Sequence, residues 1–239
     1  MTSPAIPNPA STVALVRPGP QDGVEIFMNR RPEKMETYAG AYVFPGGRVE
    51  EADWSEKMLT LVRGISPAQA QQILGVDWQP EVCIGYWVAA ARELFEEAGI
   101  LFFAGGDGDA SLAAQDNPSG RLAEKRQSLQ RGELDFPGLL KSERLRCDLS
   151  RLNYFFHRIT PEHYPVRFDT RFFLAALPEG QNPLHASEEV AESLWIAPKE
   201  ALARFESGNF RMAPPTVMVL RTLAEHDSWQ ALCAAYHLA

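Results

Sequence analysis

Cysteine is scarce in this 239-residue sequence: Cys83, Cys147 and Cys233 stand far apart, with no Cys-x-x-Cys spacing. That excludes a disulfide framework and a zinc knuckle, and a reducing, cytoplasmic setting suits such isolated thiols. Long apolar runs are also absent. No window approaches the roughly eighteen uninterrupted apolar residues of a membrane span, and the opening "MTSPAIPNPASTVALV" lacks the basic region and apolar core of a secretion signal. Positive charge is in deficit, with 23 Lys and Arg against 31 Asp and Glu for a net charge of −8, and no Lys/Arg run offsets it locally. Such a chain repels a nucleic-acid polymer or an anionic membrane, whereas a small polyanionic substrate stays accessible through a metal ion. The five histidines, His157, His163, His185, His226 and His237, share no ligand spacing, and none is assigned a role.

What is present reads as one elaborated α/β domain. Residues 1–10, with three prolines, suggest a loose arm. "STVALVRP" and "GVEIFMNRR" suggest two strands around the turn-rich "PGPQDG", and "AYVFPGGRVEEAD" a strand ending in a glycine turn. "SPAQAQQILG" has a helix start at Ser66 and Pro67 and a stop at Gly75. "QPEVCIGYWVAAARELFEEAG" is the strongest helix, closed by Gly99, and "ILFF" after it looks like a buried strand. "AGGDGDASLAAQDNPSG" reads as a loop; its "DGDAS" does not make a calcium loop, because the sixth position lacks glycine and the twelfth is Pro118. Residues 122–152 look charged and helical, "NYFFHRITP" and "RFDTRFFLAAL" like strands, "SLWIAPKEALARFESG" like a strand leading into a helix, and a last helix is expected after "APPT". No internal repeat is visible, and the mixed order argues against a helical bundle.

Three glutamates crowd the end of the strongest helix. At 100° per residue Glu93, Glu96 and Glu97 fall within an arc of about 100°, opposite Ala91, Leu94, Phe95 and Ala98. Like charges at these spacings repel by roughly 0.2–0.5 kcal/mol per pair, and only Arg92 adjoins them. A divalent cation held by carboxylates, waters and phosphate oxygens would relieve the crowding; a solvated acidic helix face fits the bare pattern equally well.

The surrounding residues resemble the Nudix box. Arg92, Glu93, Leu94, Glu96, Glu97, Gly99 and Ile100 match every specified position of its helical half. The glycine half is found far upstream in "FPGGRVEEAD", where Gly47 is followed after five residues by Asp53 in the place of a glutamate. Thirty-eight residues separate Asp53 from Arg92 where the family pattern has about seven, so the box is split by an insertion, taken as residues 54–88. Such an interrupted box is similar to the Nudix branch that includes coenzyme A diphosphatases, and "RFDTRFFLAALPEGQ", "SEEVAESLWIAPKEAL" and "PPTVMVL" extend the likeness into the C-terminal half.

The resemblance implies an α/β/α sandwich with a mixed sheet, enlarged by a helical insertion within the box and by extra C-terminal helices. It implies hydrolysis of a diphosphate linkage with Mg²⁺ or Mn²⁺ held by Glu93, Glu96 and Glu97. Glu93 would also orient or deprotonate the attacking water, and Arg92 would pair with Asp53 or Glu50 to join the two halves. Glu188, Glu189 and Glu192 are candidates for a further acid, although "SEEVAE" reads equally as an exposed loop. Substrate contacts fall to Gly46, Gly47 and Arg31. The coenzyme A signature before the box is met by Phe27, Met28, Arg31 and Gly40 and departed from at Asn29, Pro32 and Glu36, with Lys34 a spatial substitute for the missing arginine. Coenzyme A or an acyl derivative is therefore the favoured substrate, with NADH, ADP-ribose or a non-catalytic nucleotide-binding module as alternatives. Arg167, Asp169 and Arg171 read as sheet-surface pairing or as a phosphate contact. The insert and residues 122–152 are left open as a homodimer contact, a subdomain or a lid.

Overall fold

The computed structural model describes residues 4–35, 37–105, 118–183 and 190–238. Its frame is a mixed seven-stranded sheet built on β1 (Asn8–Pro18). One edge of β1 runs parallel to β9 (Phe168–Ala176) from Asn8↔Phe168 to Val16↔Ala176. The other edge is shared: Ala10, Ser11 and Thr12 pair antiparallel with β4 (Gly46–Arg48), and Val16 to Pro18 with β2 (Val24–Arg30). β3 (Tyr42–Val43) and β10 (Glu192–Ile196) flank β2, and β8 (Asn153–Ile159) closes the far side against β9.

Period-two alternation assigns side chains to the two faces. Val13, Leu15, Phe27, Phe173 and Ala175 face a core with α3 (Pro80–Ala98). Ala14, Val16, Ile26, Met28, Phe172 and Leu174 face the opposite core with α6 (Pro198–Glu206), α7 (Pro214–Leu223) and α8 (Trp229–Tyr236). The result is the expected α/β/α sandwich. α3 begins with Pro80 in its first turn and stops at Gly99 in the left-handed region (φ 70°). It buries Trp87, Leu94 and Phe95, and a buried Leu or Phe stabilises by about 1.5–3 kcal/mol.

The insertion contains α1 (Glu56–Leu59), β5 (Val62–Arg63) and α2 (Pro67–Leu74), the last capped by Ser66 and ended by Gly75. β5 joins β6 (Phe103–Gly105) and β7 (Leu145–Asp148) in a small second sheet. Residues 80–88, taken as insertion, are the first half of α3.

Several local expectations shift. The arm read over residues 1–10 gives up Asn8–Ala10 to β1, because β9 offers them a parallel partner. "ILFF" enters a strand only at Phe103. Within residues 122–152, α4 (Pro118–Gln130) and α5 (Phe136–Ser142) are helical, but Leu145–Asp148 is β7, held between β5 and β6. The helix after "APPT" starts within it at Pro214 and is followed by α8. The "DGDAS" stretch, Glu36, His185, Glu188 and Glu189 lie outside the described residues.

Candidate active site

The split box closes around one buried ion pair. Arg92 donates from Nε to Asp53 Oδ1 (2.9 Å) and from Nη2 to Asp53 Oδ2 (3.1 Å), a two-pronged bond between groups 8 % and 2 % exposed. Asp53 also accepts from the Glu50 backbone N–H (2.8 Å), which locks a short 3₁₀ turn, Glu51–Trp54, in a reciprocal cap. Arg92 Nη2 donates further to the Arg48 carbonyl (2.8 Å), so the helix grips β4 directly. The acid after the glycine loop is thus Arg92's partner, not Glu50. Burial works against both charges: it raises the pKa of Asp53 although Arg92 opposes it, whereas for Arg92 the nearby Asp53, Glu93 and Glu96 outweigh burial and raise the pKa.

The third arm of Arg92 reaches the glutamates. Nη1 donates to Glu93 Oε1 (2.8 Å) and Glu96 Oε1 (3.4 Å). Glu97 is held from the sheet side, where Oε2 accepts from Gly46 N–H (3.3 Å) and Asn29 Nδ2 (3.2 Å). Burial, with repulsion from Glu96 added, outweighs the pull of Arg92 and pushes the Glu93 pKa up to about 7. Glycine lets the two elements meet this closely. A Cβ on Gly47 would enter the Glu93 carboxylate, and one on Gly46 would enter the Ser11 carbonyl and Thr12. The backbone of β4 therefore lies flush against the acidic face of α3.

The structure brings together Gly46, Gly47, Asp53, Arg92, Glu93, Glu96 and Glu97. It places Arg31 in the β2–β3 loop, where Nε donates to the Thr37 carbonyl (3.0 Å), and Lys34 on the exposed surface of that loop. Glu192 accepts from Tyr42 Oη (3.0 Å) and lies 3.9 Å from Arg30, on the rim between β2 and β10. Asp169 bonds His157 Nε2 (2.6 Å) and Arg171, and Arg171 lies 5.1 Å and 5.2 Å from the ring centres of Trp78 and Tyr86. On that strand face Asp169 pairs with its sheet-surface neighbours, and Trp78 of the insertion and Tyr86 of α3 lie near Arg171. A cleft lined by Arg121, Lys125, Ser142, Glu143 and Arg144 lies apart from the carboxylates, and Arg121 and Lys125 there neutralise the buried Glu143.

Two contacts escaped the sequence reading. Asn29 bonds Glu97 across 68 positions. Arg126 Nε donates to the carbonyls of Phe95 (3.2 Å) and Glu96 (2.7 Å), meeting the negative end of α3 with a cation. The arginine in a charged helix was a weak signal; the asparagine in an apolar strand was a stronger one.

Hard oxygen donors crowded on one helix face are of the type that suits a divalent cation such as Mg²⁺ or Mn²⁺. Among the described residues no three His, Cys, Asp or Glu side chains are already gathered as a ligand set; Arg92 engages two of the three glutamates. Among those residues, too, no helix is long and apolar enough to cross a membrane.

Residues 77–223 match the family model described as the NUDT19 Nudix domain. The chain is 32% identical to the chicken acyl-coenzyme A diphosphatase NUDT19, covering 88% of this chain and 63% of that protein. It is 28% identical to the human protein of the same name, covering 89% and 64%, and 27% identical to the putative nudix hydrolase 7 of Caenorhabditis elegans, covering 88% and 59%. It thus spans less than two thirds of the length of these curated relatives. A crystal structure of a NUDIX hydrolase from Alicyclobacillus acidocaldarius superposes with a TM-score of 0.78 at 25% identity, covering 97% of this chain and 96% of that one.

Proposed function

Because the chain belongs to the Nudix hydrolases, in the family described as the NUDT19 Nudix domain, we propose that it hydrolyses the diphosphate linkage of coenzyme A or an acyl-coenzyme A with the help of Mg²⁺ or Mn²⁺. The observation that carries this reading is the closure of the interrupted box: Asp53 and Arg92, 39 positions apart, meet in one buried bond that sets Gly47 against Glu93. The substrate class is supported by the relatives named acyl-coenzyme A diphosphatase.

Glu93, Glu96 and Glu97 would hold the metal. Once bound, it activates water and neutralises charge growing on the phosphate oxygens. The protein's own groups do the rest. Arg92 keeps the carboxylate face fixed against β4 through the Arg48 carbonyl. Glu93, held by Arg92 at the end of that face, is the group assigned to orienting the attacking water and taking its proton. Water attacks one phosphorus, the bridging P–O bond breaks, and no covalent enzyme intermediate is needed.

Product release with Mg²⁺ or Mn²⁺ across coenzyme A, acetyl-coenzyme A, NADH, ADP-ribose and dinucleoside polyphosphates tests the reading. Fastest cleavage of the coenzyme A compounds is expected. Faster cleavage of NADH or ADP-ribose would reassign the substrate, and metal-independent binding with no cleavage of any would make the chain a nucleotide-binding module.

A further inference from the structure

Asn29 is an anomaly in its strand. It lies on the α3 face of β2, two residues from the buried Phe27, and is 2 % exposed. A buried amide is costly unless both ends are bonded, and both are. Oδ1 accepts from Ser193 Oγ (2.8 Å) on β10, directly across the strand pair, and Nδ2 donates to Glu97 Oε2 (3.2 Å) on α3. The amide has one workable orientation, because an ionised carboxylate only accepts and a reversed Asn29 would set Oδ1 against Glu97.

We propose that Asn29, anchored by Ser193, is a positioning residue that aims the Glu97 carboxylate for metal binding. Gly46 N–H meets the same oxygen, Oε2, at 3.3 Å, so two donors on the sheet fix one edge of the carboxylate and thereby the direction of the other. Both bonds are longer than a tight charge-assisted bond of about 2.7–2.9 Å. They guide the carboxylate without clamping it. The chain of contacts Ser193–Asn29–Glu97 links β10, β2 and α3, which makes the sheet a template for a group on the helix. This inference rests on the reading of Glu97 as a metal ligand.

The test is Mn²⁺ binding to the whole chain, followed by electron paramagnetic resonance of free Mn²⁺, with thermal melting as the check on folding. Asn29→Ala is expected to weaken Mn²⁺ binding about 10-fold or more, the usual effect of removing a group that orients a metal ligand. In the Glu97→Gln background the same substitution is expected to add almost nothing, a non-additivity that a general loss of stability would not produce. With saturating metal, Asn29→Ala lowers kcat and leaves KM unchanged. Should Asn29→Ala fail to fold, Ser193→Ala carries the test, with about 2- to 10-fold weaker Mn²⁺ binding expected from one lost neutral hydrogen bond. Wild-type affinity in folded Asn29→Ala or Ser193→Ala, or an additive loss with Glu97→Gln, overturns the positioning role alone. Absence of Mn²⁺ binding by the wild-type chain overturns it together with the metal reading, whereas failure to cleave any nucleotide bears on the proposed function and leaves the Mn²⁺ comparison valid.

Discussion

Replacing Glu93 by Gln should stabilise the metal-free protein while disabling it. The pKa of Glu93 rises from 4.5 to about 7, chiefly because the side chain is buried. Its folded-state pKa lies above the unfolded one, so the native protein binds this proton first. The associated stability is complete below about pH 4.5 and is lost as pH rises to about 7. At pH 8 the native state therefore carries an ionised carboxylate that costs up to about 3 kcal/mol, at 1.36 kcal/mol per pKa unit. Gln keeps an acceptor for Arg92 Nη1 and removes the charge, so a net gain of about 1–3 kcal/mol is expected. For a chain of this size that raises Tm by roughly 3–10 °C. Melting of both proteins in EDTA from pH 5 to pH 8 reads it directly, and the gap should widen with pH. Added Mn²⁺ should raise the wild-type Tm by mass action and the variant's much less, narrowing or reversing the order, while kcat falls on the order of 10²-fold. A Glu93→Gln protein that melts below wild type in EDTA at pH 8, or a gap that is the same at pH 5 and pH 8, refutes the electrostatic account.

Arg92→Ala leaves Asp53 buried without its cation and should cost about 3–5 kcal/mol in urea unfolding; Arg92→Lys should regain only part, since it cannot bond both Asp53 oxygens and the Arg48 carbonyl together. Glu97→Gln should lose about 10²-fold or more in kcat, the scale of a lost electrostatic group, with the circular dichroism of the fold retained. Gly47→Ala places a methyl where the Glu93 carboxylate lies, and the displacement should cost on the order of 10²-fold in turnover and weaken Mn²⁺ binding in the same resonance assay.

The two halves of the site were legible because their residues obey local rules: carboxylates at helical spacing, a Gly99 stop, a glycine pair before an acid. The pairing of Arg92 with an acid of the glycine loop came from the resemblance to the Nudix box, which left Asp53 and Glu50 open; the fold selects Asp53. What stayed hidden depends on partners distant in sequence. Gly46 and Gly47 have poor strand propensity and read as a turn; they form β4 because β1 supplies the pairing edge. β7 sits in a charged stretch where only Leu145 and Cys147 alternate with Arg146 and Asp148, too short a pattern to stand out before β5 and β6 are known to flank it. Asn29 was noticed only as a departure from the coenzyme A signature; its bond to Glu97 needs α3 folded over β2.

The insertion could be expected to weaken the site it interrupts, since lengthening the connection from about seven to 38 residues adds loop-closure entropy. The logarithmic dependence keeps that addition to about 1.5 kcal/mol. The insert has its own anchors against that cost. Trp54 lies against α3 at Gly85, where a Cβ would stand 2.7 Å from the indole, and Met58 and Ala70 are fully buried in the α3-side core. Leu61 accepts the Cys147 N–H (2.8 Å) as β5 joins β7, and Lys57 pairs with Asp135 at 3.0 Å. Burial of Met58 alone is worth about 1.5–3 kcal/mol, the same order as that closure term. The Arg92–Asp53 bond thus does not have to hold the insert in place. It is left to fix the register of β4 against α3, on which the relation of Gly46 and Gly47 to the three glutamates depends.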